Sequence, residues 1–216
     1  MSKSNIEVSK ATVQRLPRYL LYLKNLKLQN KQYVSSTAIA NDLNQNSVQV
    51  RKDLSIVSAR PGKPKMGFLT DELIADIEKF LGYNESNRAV LVGAGQLGKT
   101  LLSFGGFEPY GFHIVAGFDK KKTVVGKEIC GKMVYDTDDF FDIVRSLDVD
   151  FGIITVPADN AQEVCDMMVK AGIKAIWNFA PTHLNVEGNV TVKNEDLGAS
   201  LAMLGREFRN GNIAKE

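Results

Sequence analysis

A glycine-rich loop with the sequence VLVGAGQLGKT, residues 90–100, carries the residue types of a phosphate-binding site. Gly93, Gly95 and Gly98 form the pattern G-x-G-x-x-G, which binds the pyrophosphate of a nicotinamide or flavin dinucleotide. The stretch also fits G-x-x-x-x-G-K-T through Lys99 and Thr100, a pattern that binds a nucleoside triphosphate. The loop predicts phosphate binding and leaves two classes of ligand open.

The segments around this loop favour the dinucleotide. RAVLVGAG predicts a strand that enters the loop, QLGKTLLSF the helix that leaves it, and HIVAGFD a second strand that ends at Asp119. Asp119 stands 21 residues beyond Gly98, where an acid hydrogen-bonds the adenosine ribose. The whole unit closes within residues 88–119, a length of about 30 residues that the dinucleotide motif requires. The later strands IITVP and WNFAP both end in proline rather than in an acid, which disfavours the triphosphate interpretation.

The glycines have different expected roles. Gly93 permits a tight turn, Gly95 lets the backbone approach the pyrophosphate, and Gly98 lets the helix pack closely on the strand. The helix N-terminus offers free N–H groups to the phosphates. Asp119 favours NAD(H), because a carboxylate repels the 2′-phosphate of NADP(H), although the lysines at 120–122 could accommodate such a phosphate. The residues predicted to form the binding loop are Gly93, Ala94, Gly95, Gln96, Leu97 and Gly98.

Strands and helices alternate in the rest of the chain beyond residue 86. KMVYD, DFGIITVP, IKAIWNFAP and NVTVKN predict strands, while DTDDFFDIVRSL, NAQEVCDMMVKAG and DLGASLAMLGREF predict helices, the second of them closed by Gly172. Such alternation predicts the α/β class, with a doubly wound parallel sheet of the Rossmann type.

Catalytic machinery is not evident in this sequence. His113 begins a strand and His183 lies in a loop after WNFAP, and neither has a predicted partner for proton transfer. Zinc-ligand spacings, paired carboxylates and a nucleophile elbow do not occur, so we predict no catalytic residue and no metal site. A dinucleotide site without substrate machinery indicates a sensor. A small NAD(P)-dependent oxidoreductase with an appended basic domain, or a CoA-binding Rossmann protein, is the alternative.

The charge distribution separates the first third of the chain from the rest. Residues 1–70 hold twelve basic and three acidic residues, a net charge of +9, whereas residues 71–216 hold fifteen basic and 22 acidic residues, a net charge of −7. A basic segment on an acidic body suggests that only the segment meets a polyanion. The two distant cysteines, the lack of a membrane-spanning run and the polar start MSKSNIEVSKATVQ predict a cytoplasmic protein that does not associate with a membrane.

Three helices are predicted in the basic segment. The first lies within residues 9–28 and is expected to begin near Leu16, because Pro17 cannot donate an internal hydrogen bond. Ser36 is the expected cap of a second, short helix that Asn44 closes. The third spans NSVQVRKDLSIVSA, with Asn46 or Ser47 as its cap and its apolar face on the core. Two short helices joined by a tight turn form the helix-turn-helix pattern.

A segment rich in proline, glycine and lysine, ARPGKPKMGF, follows the third helix and predicts a short hairpin, the wing of a winged helix. Basic side chains on the third helix can reach base edges in the major groove, and wing lysines can reach phosphates or the minor groove. A helical dimerisation domain with a basic surface is the alternative. The predicted DNA-binding residues are Ser47, Gln49, Arg51, Lys52, Lys63 and Lys65.

Taken together, these motifs resemble the Rex family of redox-sensing transcriptional repressors. The resemblance spans nearly the whole chain and rests on SVQVRKDLS, RPGKPKMGF, VLVGAGQLG, TVP at residues 155–157 and NFAP at residues 178–181, in that order. It implies NADH and NAD⁺ as cofactors and a homodimer on a palindromic double-stranded DNA operator. It further implies that NADH releases the DNA and that the last helix, about residues 196–208, is exchanged between subunits.

The resemblance also implies the walls of the nicotinamide pocket and three departures from the family pattern. The candidate walls are Thr155, Val156, Pro157 and the partner's Leu197. Phe104 and Leu197 stand where tyrosine and phenylalanine are expected, and Leu21 where some members carry arginine; these departures bear on the redox response. The predicted organisation is a winged-helix domain at 1–80, a Rossmann domain at 86–195 and a domain-swapped helix at 196–216.

Overall fold

The computed structural model describes residues 8–83 and 85–209, which form two compact units that divide at residue 84. The first seven residues of the predicted segment 1–80 and the last seven of the predicted segment 196–216 lie outside the described residues. Each unit has its own hydrophobic core.

The first unit is helical, with a short antiparallel pair of strands. Its elements are α1 (Lys10–Leu28), β1 (Tyr33–Val34), α2 (Ser36–Asp42), α3 (Ser47–Val57), β2 (Phe68–Leu69) and α4 (Thr70–Leu81). β1 pairs with β2, and the core side chains come from all four of these helices. This order of elements is that of a winged helix-turn-helix domain, as predicted.

Pro17 does not limit α1, so the expected start near Leu16 is wrong. The helix begins at Lys10, where the Ser9 hydroxyl accepts a hydrogen bond from the Thr12 N–H, and continues through Pro17. Thr12 and Leu16, on the N-terminal side of the proline, are buried with Tyr19 beyond it. Packing of both halves on one core therefore compensates for the hydrogen bond that the proline cannot make.

The cap of α2 is one residue earlier than expected. The Ser35 hydroxyl, rather than that of Ser36, accepts from the Ala38 N–H and caps the helix. Asn44 has a φ of 51° two residues beyond the end of α2, where it closes this helix as predicted. The Asn46 side chain accepts from the N–H groups of Val48 and Gln49, which confirms it as the cap of α3.

The wing is a tight turn closed by a single antiparallel pair, Lys63 with Gly67, next to β2. Lys65 has a φ of 64° at its tip. α4, which follows directly, is absent from the predicted elements although Leu73, Ile74 and Ile77 are buried at helical spacing. Gly82, with a φ of 72°, ends this helix in the left-handed conformation.

The second unit is built on a seven-stranded sheet with the order β5-β6-β4-β3-β7-β8-β9. The strands are β3 (Asn87–Val92), β4 (Phe112–Asp119), β5 (Glu128–Ile129), β6 (Lys132–Asp136), β7 (Phe151–Ile154), β8 (Ala175–Asn178) and β9 (Thr191–Asn194). All pairs are parallel except that of β5 with β6. The six parallel strands have the order of a doubly wound Rossmann sheet, which confirms the predicted α/β class.

Helices connect these strands. They are α5 (Gln96–Ser103), a 3₁₀ helix at Gly105–Tyr110, a 3₁₀ turn at Thr137–Asp139, α6 (Phe140–Leu147), α7 (Ala158–Lys170) and α8 (Leu197–Arg209). The predicted helix DTDDFFDIVRSL thus begins as a 3₁₀ turn. Several of the predicted strand segments included loop residues, and the observed strands end before those residues. Gly172, with a φ of 91°, follows the end of α7 as predicted. In the described part of the chain, no helix is long and apolar enough to span a membrane.

Candidate functional site

The glycine loop lies where the order of the sheet reverses. The chain leaves β3 at Gly93 and crosses to β4 through α5, while the neighbouring strand β7 continues in the opposite direction to β8. Ligands of open α/β sheets bind in the crevice at this switch point.

Gly93 makes the tight turn of the loop. Its φ is +106°, and a Cβ atom there would lie 2.8 Å from the backbone of Thr155. The Thr155 hydroxyl donates to the Gly93 carbonyl at 2.8 Å, and the Gly93 N–H donates to the Phe118 carbonyl at 2.8 Å. Three neighbouring strands therefore hold the turn.

Gly98 brings α5 against this turn. A Cβ atom on Gly98 would lie 2.0 Å from the Gly93 carbonyl oxygen, a distance that no side chain can occupy. Gly95 is different, because a Cβ atom there would meet no atom within 4 Å. Gly95 is exposed and precedes the first turn of α5, so the free N–H groups of that turn face open space, where a phosphate can approach.

A cleft of about 440 Å³ extends from this helix N-terminus. Six of the residues predicted to bind the cofactor line it together: Gly93, Gly95, Asp119, Thr155, Val156 and Pro157. Asp119 ends β4, and its Oδ1 accepts from the Lys121 N–H at 2.8 Å. The cleft has the size of a pocket for a small cofactor, and its wall combines an acid, Asp119, with the apolar side chains of Val156 and Pro157.

The remaining predicted cofactor residues lie outside the wall of this cleft. Ala94 is buried beneath the loop, whereas Gln96 and Leu97 are exposed in the first turn of α5. Phe104 follows the end of α5, 52% exposed, with its ring edge-on to Phe107 at 4.9 Å. Leu197 begins α8 and is also exposed. Their roles in binding stay predictions.

The second phosphate pattern has no support in the geometry. The Thr100 hydroxyl donates to the Gln96 carbonyl of its own helix at 3.0 Å, and Lys99 is exposed on the same turn. Both residues are ordinary parts of α5.

The two histidines lie apart from the cleft wall. His113 lies at the beginning of β4, away from the carboxyl edge, and His183 is exposed in a loop. Over residues 8–83 and 85–209, no cluster of His, Cys, Asp or Glu could hold a metal ion.

Sequence reasoning missed several residues of the cleft wall. Val92, Thr137, Asn160 and Val164 line it with the predicted residues. Asn160 and Val164 belong to α7, the helix that follows the TVP motif, so their position could have been predicted from the topology. Thr137 follows β6, and no sequence pattern marks it.

The NFAP motif is structural. The side chain of Asn178 is fully buried at the end of β8 and donates to the Ala180 and Thr182 carbonyls and to the Asn194 side chain. It closes the loop after β8 and fixes β9 beside it.

In the first unit, α3 presents a cationic face. Val50, Leu54 and Val57 are buried as predicted, while Arg51 and Lys52 are exposed. Ser47 and Gln49 are half-buried at the start of the helix. The wing lysines are also exposed, and the Lys63 ammonium lies 5.6 Å from the centroid of the Tyr33 ring. Whether these six residues contact DNA stays a prediction.

A buried carboxylate, which sequence reasoning also missed, holds α3 on α1. Asp53 is fully buried and accepts hydrogen bonds from Arg15, Tyr19 and Gln49. Burial alone would raise the pKa of Asp53, but the hydrogen bonds from these three side chains bring it below the ordinary value. Burial and the hydrogen bond to Asp53 raise the pKa of Tyr19 to about 12. Asp53 lies three residues after Val50 and four before Val57, so helical spacing already placed it on the buried face.

Two family models match the chain. Residues 7–55 match the model described as "Putative DNA-binding protein N-terminus", and residues 84–182 match the model described as "CoA binding domain". The two matches fall on different units.

Close relatives carry one name. A protein of Treponema denticola is 42% identical over 205 residues, which cover 95% of this chain and 97% of the relative. A protein of Bacteroides thetaiotaomicron is 41% identical over 198 residues, covering 92% and 90%. Each is named redox-sensing transcriptional repressor Rex.

Solved structures of a related protein match this chain over both of its units. The protein RSP in complex with β-NAD⁺ and operator DNA is 33% identical and matches with a TM-score of 0.88, over 96% of this chain and 95% of that chain. RSP in complex with β-NADH is 32% identical, with a TM-score of 0.82 over 98% and 99%. RSP is described as a Rex-family repressor.

Proposed function

Because the chain belongs to the Rex family of redox-sensing transcriptional repressors, we propose that it binds an operator through its first unit and releases it when NADH occupies the cleft of its second unit. The relatives are named as repressors, and a related structure holds β-NAD⁺ with operator DNA while another holds β-NADH. The family, the cofactor pair and the regulatory function predicted from the sequence are thereby confirmed. A repressor acts where the DNA is, so we place the protein in the cytoplasm.

One observation in this chain carries the assignment of the ligand. Gly95 leaves open space before the free N–H groups of α5, at the switch point of the sheet, and Asp119 lies in the same cleft. A pyrophosphate at Gly95 and a ribose at Asp119 are the two fixed points of a bound dinucleotide. The carboxylate at Asp119 favours NAD(H) over NADP(H). We therefore assign the cofactor to the cleft lined by Gly93, Gly95, Asp119, Thr155, Val156 and Pro157.

The assignment of DNA to the first unit rests on charge and exposure. Arg51 and Lys52 stand on the outer face of α3, and Lys63 and Lys65 are exposed on the wing. Together they offer cationic groups to a major groove and to the flanking phosphates. We include Ser47 and Gln49, at the N-terminal end of α3, in the same proposed surface.

The redox response follows from linkage. NADH lowers the affinity for DNA only as far as it prefers the protein state that does not bind DNA. The reduced nicotinamide is uncharged, whereas that of NAD⁺ is cationic, and an apolar wall favours the uncharged ring. Val156 and Pro157 supply an apolar wall in the cleft.

The protein acts as a homodimer in this proposal, and two exposed apolar surfaces support it. The first is a stripe on α8: Leu197, Leu201, Leu204 and Phe208, each between 61% and 74% exposed. The second is a groove of about 430 Å³ along β7, β8 and β9, with Phe112, Phe151 and Trp177 in its wall. Ile176 packs in the core with α7, so its neighbour Trp177 faces the other side of the sheet, where the groove lies.

A stripe on a helix and a groove on a sheet are complementary in shape and polarity. A second copy brings one of each, so two chains can bury both stripes by symmetric exchange of α8. Two-fold symmetry then requires a palindromic operator with one half-site for each first unit.

Analytical sedimentation tests the proposed dimer. The wild-type protein should be a dimer, and the double variant Leu201→Glu with Leu204→Glu should be a monomer. A monomeric wild type would contradict the proposal.

The proposed function is tested by competition on DNA. The protein is bound to a labelled duplex that it has selected from a random-sequence pool, and NADH, NAD⁺ and CoA are titrated separately while fluorescence anisotropy is followed. NADH should release the duplex at concentrations where NAD⁺ does not. CoA serves as the third ligand because of the CoA-binding model match, and it should neither release the duplex nor compete with NADH. If neither nicotinamide cofactor changes the affinity for DNA, the proposed function is wrong.

A further inference from the structure

Val48 is an exposed apolar side chain on the helix that we assign to DNA. It is the second residue of α3 and is 57% exposed, whereas its neighbours Ser47 and Gln49 are half-buried. In the described part of the first unit, neither the hydrophobic core nor the partly buried side chains packed against it include Val48. The fold of this unit therefore does not account for a valine at this position.

Val48 shares its face of the helix with cationic residues. The exposed residues of α3 follow the spacing i, i+3, i+4, i+7 and are Val48, Arg51, Lys52 and Ser55. The buried residues lie on the opposite face and are Val50, Asp53, Leu54 and Val57. Residues three and four apart are neighbours on a helix surface, so Val48 lies beside Arg51 and Lys52. A polyanion that binds these two cations therefore also meets Val48.

The local structure fixes how Val48 is presented. The Val48 N–H donates to the Asn46 side chain at 2.9 Å, which holds the backbone of the first turn, and a valine in a helix has one strongly preferred χ1. The neighbouring Gln49 amide donates to Asp53 at 2.9 Å, so this longer side chain is held at the buried carboxylate. The Val48 methyl groups thus have one orientation, at the end of the helix that contacts base edges in helix-turn-helix proteins.

We propose that Val48 recognises the 5-methyl group of a thymine in each half-site of the operator. The inference rests on the proposed function, because it takes α3 as the helix that enters the major groove. The thymine methyl is the apolar group that base pairs present in that groove, where the other base edges present hydrogen-bond donors and acceptors. A valine against those polar atoms would displace their water without replacing its hydrogen bonds. Val48 therefore favours thymine by apolar contact and disfavours the other bases by desolvation.

Two consequences distinguish this role from a structural one. The affinity for the operator should depend on one thymine methyl group, and only while Val48 is present. In addition, valine is a weaker helix former than alanine, so Val48→Ala should not destabilise the exposed first turn of α3. A valine that served only the fold would behave in the opposite way, with a loss of stability and no dependence on the methyl group of a base.

The experiment removes the methyl groups from both partners. In the duplex that the wild type selects from a random-sequence pool, each thymine is replaced in turn by deoxyuridine, which lacks only the methyl group, in both half-sites at once. The affinities of the full-chain wild type and of Val48→Ala for every duplex are measured by fluorescence anisotropy at one salt concentration. Val13→Ala, at a valine that is 40% exposed on α1, is the matched control. Melting temperatures are measured without DNA.

For the wild type and for Val13→Ala, deoxyuridine at one thymine position should weaken binding roughly tenfold, as the loss of two buried methyl groups predicts. Val48→Ala should bind the thymine and deoxyuridine duplexes of that position equally well, and its melting temperature should be unchanged or raised. If no thymine position weakens wild-type binding, or if the loss persists in Val48→Ala, the assignment is wrong, while release of the duplex by NADH would still support the proposed function. If the wild type selects no duplex at all, the proposed function falls, and the assignment falls with it.

Discussion

The guanidinium of Arg15 and the carboxylate of Asp53 form a two-point salt bridge between α1 and α3. The Arg15 Nε lies 2.7 Å from Asp53 Oδ2, and Nη2 lies 2.9 Å from Oδ1. Asp53 is fully buried, and the Tyr19 hydroxyl and the Gln49 amide complete its hydrogen bonds at 3.0 and 2.9 Å. Because the carboxylate only accepts, the Gln49 amide must present its nitrogen to Asp53.

This salt bridge sets the orientation of the helix that we assign to DNA. The Asp53→Asn variant keeps the shape of the side chain but removes the charge and places a donor against other donors. We expect a loss of about 2–3 kcal/mol in the stability of the first unit, because one member of a buried pair is removed. Operator binding should weaken in parallel, while NADH binding in the second unit should not change.

The control for this variant is Asp71→Asn, since Asp71 pairs with Lys27 and both side chains are more than half exposed. It should cost less than about 1 kcal/mol. Urea unfolding of the full chain, followed by the NMR signals of the α3 amides, measures both variants. Equal losses in the two would mean that the buried salt bridge does not hold α3.

The same carboxylate predicts how the first unit responds to acid. The folded-state pKa of Asp53 lies below the ordinary value of 3.8, so the unfolded chain takes up a proton first as the pH falls. The stabilisation is complete above the ordinary value and is lost as the pH falls through the lower, folded-state value. The wild-type first unit should therefore lose stability below about pH 4, and Asp53→Asn should lack this component. Unfolding curves between pH 7 and pH 3 test it; parallel curves for the two proteins would exclude Asp53 as the source.

Two glycines three residues apart should respond differently to alanine. In Gly98→Ala the new Cβ atom meets the Gly93 carbonyl at 2.0 Å, so the melting temperature of the second unit should fall. In Gly95→Ala the Cβ atom meets no protein atom, and the backbone φ of −71° suits alanine, so the fold should be retained. The methyl group then stands where the pyrophosphate must approach, and NADH affinity should fall roughly tenfold or more. Melting curves and NADH titrations separate the two effects, and a Gly95→Ala protein with wild-type affinity would remove the pyrophosphate from this position.

The Gly95→Ala protein should also be a repressor that responds to NADH only at higher concentrations. Its first unit is unchanged, so it should bind the operator as the wild type does. Release of DNA should then require correspondingly more NADH. A variant that lost DNA binding as well would show that the substitution acts on the whole protein.

The cationic face of α3 is tested by the double variant Arg51→Ala with Lys52→Ala. A good base contact contributes about 1–3 kcal/mol, so operator affinity should fall at least tenfold, and its dependence on salt should become weaker. NADH affinity should be unchanged. Lys170→Ala, an exposed lysine on α7, serves as the control and should bind the operator normally. Wild-type affinity in the double variant would take α3 out of the interface.

The parts of this fold that the sequence predicted are those that local patterns determine. The spacing of Gly93, Gly95 and Gly98, with Asp119 at the end of the next strand, predicted the sheet, the cleft and the cofactor. The prediction succeeded because these residues are set by the conformation and the close contacts of the neighbouring backbone. The cap at Asn46 followed from its ability to accept from free N–H groups.

The parts that were wrong or missed depend on contacts between distant segments. Pro17 argues for a helix boundary when α1 is considered alone, yet the core of the first unit holds both halves of that helix in place. Asp53 is a charged residue on an apolar face, and only its contact with Arg15, 38 residues earlier, explains it. Thr137 reaches the cleft wall only because β6 pairs with β4, and no local pattern predicts that pairing.

The central claim is that the cleft and the operator-binding surface are energetically coupled, and one measurement addresses it most directly. The dissociation constant of NADH is determined by calorimetry with the free protein and with the protein saturated by its selected duplex. Linkage requires that the duplex weaken NADH by the same factor by which NADH weakens the duplex, and that NAD⁺ show a much smaller factor. Equal affinity of NADH for the free and the DNA-bound protein would contradict the account.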